Sequence, residues 1–110
     1  MNEDQLAARQ ELVDVVSSVP DAPADMLQAC RKIVALRQRL GPIPIGLLDP
    51  IIAIESELED VPGEASFVRW DPAALQRKMK KRDEYLARVQ GILLASFRRL
   101  RQWLESGGRE

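Results

Sequence analysis

Wound as a helix at about 100° per residue, residues 71–106 bring Arg77, Lys81, Arg88 and Arg99 onto one line. A line of cations can follow a phosphate backbone, and Lys78 to Arg82 and Arg98 to Arg101 are its dense points. The chemistry is charge neutralisation of a nucleic acid. Basic clusters at this spacing are also what a solvated helical face looks like, so the line competes with plain surface. A second group is apolar: Ile43 and Ile45 in a proline-rich segment, with Trp70 and Trp103, are residue types that anchor protein partners or fill a core. A third is acidic. Glu55, Glu57, Glu59, Asp60 and Glu64 follow one another with no base between them. Paired carboxylates can do general acid/base work, although an acidic helix end facing a basic helix is far commoner.

What is missing narrows the chemistry further. The chain has no histidine and one cysteine. That removes the commonest general base near neutral pH and excludes imidazole or multi-thiolate metal sites and Cys-His or Ser-His catalysis. No cofactor or metal is expected. A small enzyme working through arginine and glutamate alone is the remote alternative. Cys30 lies in the middle of an apolar helical arc and reads as a small buried hydrophobe.

The elements that must position these groups are helical. Asp71 can cap, Pro72 suits the first helical position, and Leu75, Met79, Leu86, Val89, Leu93, Leu100 and Trp103 continue a 4-3-4-3 stripe. Tyr85, Ile92, Phe97 and Leu104 widen the stripe, while Arg82 and Ser96 interrupt it. This predicts one long helix over about 71–106, stopped at Gly107-Gly108 and followed by a flexible tail over 107–110. Three shorter helices precede it. The first, about 2–18, has Asn2 and Gln5 in capping-box positions, places Leu6, Leu12, Val13 and Val16 on one face, and ends in Ser17-Ser18-Val19-Pro20. The second, about 22–40, has Asp21 as cap, Pro23 in its first turn and Gly41 as its stop, and should be the most deeply buried. Arg37, on its apolar arc, is expected to be partly buried against an acid. The third, about 50–60, starts at Asp49-Pro50 with Asp49 as cap and presents Leu47, Ile51, Ile54, Leu58 and Val61.

Two connectors stand out. Gly41-Pro42-Ile43-Pro44-Ile45-Gly46 is held extended by its prolines; it is either a rigid link whose isoleucines plug the bundle or an apolar edge shown to a partner. Pro62 to Trp70 reads as a loop with a short extended piece at its end. There, Trp70 and Leu75 are spaced as a hydrophobic staple on the Asp71 cap.

The expected fold is all-α, a single four-helix-bundle-like domain of 110 residues. The net charge of −1 conceals a division. Residues 1–70 carry six basic and twelve acidic side chains, residues 71–106 nine basic and four acidic. The two parts should attract, which weakens a direct step from positive charge to nucleic acid. The acidic start and short apolar runs predict a cytoplasmic chain outside the membrane. At about 1.5 Å per residue the last helix would reach roughly 50 Å, longer than any neighbour. Helices two and three end to end could cover it; so could the same stripe of a second copy, making a homodimer in which Gly91 allows close approach. The function expected is a non-catalytic protein-protein interaction module, an adaptor, inhibitor or small subunit. A nucleic-acid-associated subunit is the alternative.

Overall fold

Asn2 opens the chain's helical structure by accepting from the Gln5 amide at 2.8 Å, while its own amide donates to Gln5 Oε1 at 3.2 Å. That reciprocal pair satisfies two otherwise unpaired groups and starts α1, Glu3–Ser17. The computed structural model describes residues 2–18 and 22–107. Its fold is all-α, with no strand among the described residues. Ala8, Leu12 and Val16, four residues apart, form the buried line of α1. Leu6 is exposed and Val13 half-buried, so the inner face is narrower than the apolar residues alone predict.

The second helix, α2, spans Pro23–Leu36, with proline in its first turn and Ala22 at the N-cap without a side-chain bond. Asp21, the expected cap, lies outside the described residues, as do Val19, Pro20 and residues 108–110. Met26, Leu27, Ala29, Cys30, Ile33 and Leu36 are all buried, the densest such set in the chain. The helix stops four residues short of the expected end. From Leu36 the bonds tighten to three-residue turns (Arg37 N–H to Val34 O, Arg39 N–H to Leu36 O), which swing Leu40 into the core. Arg37 consequently points outward and is exposed; it is Arg39 that reaches acids, Asp4 at 3.0 Å and Glu11 at 3.7 Å. Gly41 follows at φ +78°, and a Cβ there would lie 2.7 Å from the Gln5 side chain. The left-handed backbone favours glycine, and a side chain there would also have to displace the tip of Gln5.

The third helix, α3, spans Asp49–Glu57 and places Ile51 and Ile54 inside, with Leu58 and Val61 buried just beyond. Leu48, not Asp49, holds the N-cap position, and no side chain caps it. Successive turns, Leu47 N–H to Pro44 O and Asp49 N–H to Gly46 O, wind directly into the helix and leave Asp49 in its first turn. Residues 64–69 are not extended: they form a 3-10 helix, η1, Glu64–Arg69. Asp71 then accepts from the Ala74 amide at 3.1 Å and α4 runs Pro72–Glu105.

The helices pack α1 on α2, α2 on α3, and all three on α4. Arg9 meets Trp103 while Val16 shares a cleft with Leu94 and Phe97, so α1 runs antiparallel to the second half of α4. Asp60, just past α3, meets Lys78 and Lys81 in the first half. Helices α1 and α3 therefore follow one another along α4, and α2 bridges both. The long helix is covered within the chain, but by α1 and α3 in succession rather than by helices two and three end to end. One continuous core results, from Ala8 to Leu100. The molecule's extents of 47 × 27 × 22 Å reflect the roughly 50 Å length of α4.

Candidate functional site

The apolar stripe of α4 is spent inside the chain. Leu86, Leu93, Phe97, Leu100 and Trp103 are buried, and Ser96, also fully buried, settles its hydroxyl by donating to Ile92 O at 2.9 Å. The opposite face is open. Along it Arg77, Glu84, Gly91, Arg98 and Glu105 recur every seven residues and are all exposed. Ala87 and Ala95 lie one turn either side of Gly91, where an added Cβ would meet nothing within 4 Å. Ile92, next to it, is 57% exposed.

Of the cations aligned by the sequence, Lys81 is engaged. Its ammonium lies 2.8 Å from Asp60 Oδ1, Lys78 reaches Oδ2 of the same carboxylate, and their hydrogen bonds hold the Asp60 carboxyl down at about 2. The acidic end of α3 thus neutralises part of the basic helix, as charge division predicts. Arg82, an interruption in the stripe, does not reach α3; its Nε pairs with neighbouring Asp83 at 2.9 Å. Arg77, Arg88 and Arg99 remain exposed without an ion pair among the described residues. Arg88 lies 5.8 Å from the Tyr85 ring centre, and Arg99 donates to Ser96 Oγ at 3.3 Å.

The candidate partner anchors separate. Trp103 is 6% exposed and covered by the Arg9 guanidinium, 4.7 Å from its ring centre, while Arg9 Nε donates to Leu40 O. It joins α1 to the end of α2 and has no surface to offer. Trp70 is half-buried, after η1. Ile43 packs against the core, whereas Ile45, two residues on, is fully exposed. The rigid-link reading of the proline-rich segment thus holds for Ile43, while Ile45 is left in solvent. Cys30 is fully buried, and burial, with Glu55 nearby, pushes its thiol up to about 12, far from a thiolate nucleophile at neutral pH.

One contact has no signal in the sequence: Arg31 donates to the carbonyls of Leu58 at 3.2 Å and Val61 at 2.6 Å. It closes the end of α3 from α2 and so positions Asp60 against α4. No group of three or more metal-ligating side chains occurs among the described residues, and no helix there is long and apolar enough to cross a membrane. No protein-family model matches the chain, and neither a curated protein nor a solved structure matches it.

Proposed function

We propose that this chain is a non-catalytic helical interaction module that binds a protein partner along the outer face of α4. The observation that carries the reading is the Arg77, Glu84, Gly91, Arg98, Glu105 line: exposed, evenly spaced and of mixed charge, on a helix whose other face is occupied. Charges in heptad positions beside small residues are what a second helix recognises in register. A photo-crosslinking residue at Gln102, on this face, should give discrete adducts in host cells, and one at Gln10 on α1 should not. Equal labelling at both, or none at Gln102, overturns the reading.

Nucleic-acid binding is the second reading, supported by Arg77, Arg88 and Arg99, each eleven residues and about 17 Å from the next. Glu84 and Glu105 on the same face oppose it. Three phosphate contacts predict that log K falls against log salt with a slope of about −2.7 on duplex DNA. Arg88→Glu with Arg99→Glu should abolish binding; absence of binding by the unchanged protein at low salt removes this reading.

A further inference from the structure

The heptad line is its own complement when reversed. Opposed antiparallel to a second copy about Gly91, Arg98 faces the partner's Glu84 and Arg77 faces the partner's Glu105, and the two-fold repeats both pairs. We infer that the partner of the α4 outer face is a second copy of this chain, docked as an antiparallel helix pair whose two-fold axis passes beside Gly91. The inference rests on the interaction reading above and names its partner.

The charge order selects the orientation. In a parallel, in-register pair Arg77 would oppose Arg77 and Glu84 would oppose Glu84; reversal converts every one of these repulsions into an attraction. The centre suits close approach, because Gly91 presents no side chain and Ala87 and Ala95 present only methyls one turn away. Competition within the chain is weak. Glu84 reaches Lys80 at 3.8 Å and Glu105 reaches Arg101 at 3.0 Å, both exposed pairs one turn apart on a single helix. Such pairs stabilise little and exchange readily. Arg77 and Arg98 have no ion pair among the described residues. From Arg77 to Glu105 the face is about 42 Å long and about one helix diameter wide, so two copies bury on the order of 1,000 Å² in total, the lower limit for a specific interface. The dimer is therefore a weak, concentration-dependent one.

Sedimentation equilibrium from about 5 µM to 1 mM tests this, because association in the micromolar range should carry the mass from 12.4 kDa toward twice that value. Glu84→Arg and Arg98→Glu should each weaken association at least tenfold, and the two together should restore it to within about threefold. In the double variant each pair re-forms with its signs exchanged, which neither a parallel pair nor another face would give. Gly91→Cys should form an intermolecular disulfide on mild oxidation, since the position meets its own copy at the axis, whereas Gln102→Cys should not. A protein that stays monomeric at 1 mM, or charge reversals that add instead of cancelling, overturns the dimer. Gln102 adducts to a different protein with a monomeric mass would sink the self-pairing and leave the interaction face standing; absence of adducts at Gln102 would remove both.

Discussion

The two halves of α4 are one uninterrupted helix held by different physics. From Leu86 to Trp103 six side chains are buried, and the helix is fixed by apolar packing against α1 and α2. From Pro72 to Tyr85 none is buried. Leu75, Met79, Arg82 and Tyr85 are half-covered, and the strongest specific contacts are Lys78 and Lys81 on Asp60. Continuity of a helix therefore says nothing about uniformity of its stability, which follows the burial along it.

The sharpest way to break this contrast is at Leu93, fully buried at the centre of the packed half. Leu93→Ala should cost about 2–5 kcal/mol by urea unfolding, through lost transfer energy and the cavity left behind. A smaller loss would mean that the second half does not depend on packing. Arg31 sharpens the comparison at the other end, because it fixes the segment that carries Asp60. Arg31→Met removes both donors from the Leu58 and Val61 carbonyls and should cost about 1–3 kcal/mol, with faster amide exchange over 72–85 than over 93–103.

Asp60→Asn should have the smallest effect, below about 1 kcal/mol, because the ion pairs are solvent-exposed. Its pH dependence is diagnostic. The carboxyl is lowered from 3.8 to about 2, so its stabilisation is fully present above pH 4 and is lost as pH falls through 2. The difference in urea midpoint between the unchanged protein and Asp60→Asn should shrink across that window and vanish below it. A difference that persists at pH 1.5 would show that the residue acts other than through its charge.

Much of this architecture is readable from local chemistry. The Asn2 capping box, the Asp71 cap and the length of α4 need only near neighbours in the chain, and all occur as the sequence predicts. Features set by distant residues are not readable. The early end of α2 depends on Leu40 finding the core and Arg9 finding the Leu40 carbonyl, 31 residues away. The helix η1 has no apolar periodicity to announce it, and Leu48 displaces Asp49 as cap because turns that begin at Pro44 run straight into α3. On α4, the sequence alone shows the cations as a line. That Lys81 leaves it for Asp60, and that a mixed-charge line remains open, depend on which face the other helices cover.

Cys30 has a practical consequence. The chain's one thiol is fully buried on α2, the element that touches every other α-helix. A thiol reagent can reach it only when α2 separates from its neighbours, so the labelling rate in native buffer is a clock for the rarest openings of the molecule. Where reclosing outpaces reaction, that rate divided by the rate in denaturant gives the opening equilibrium directly.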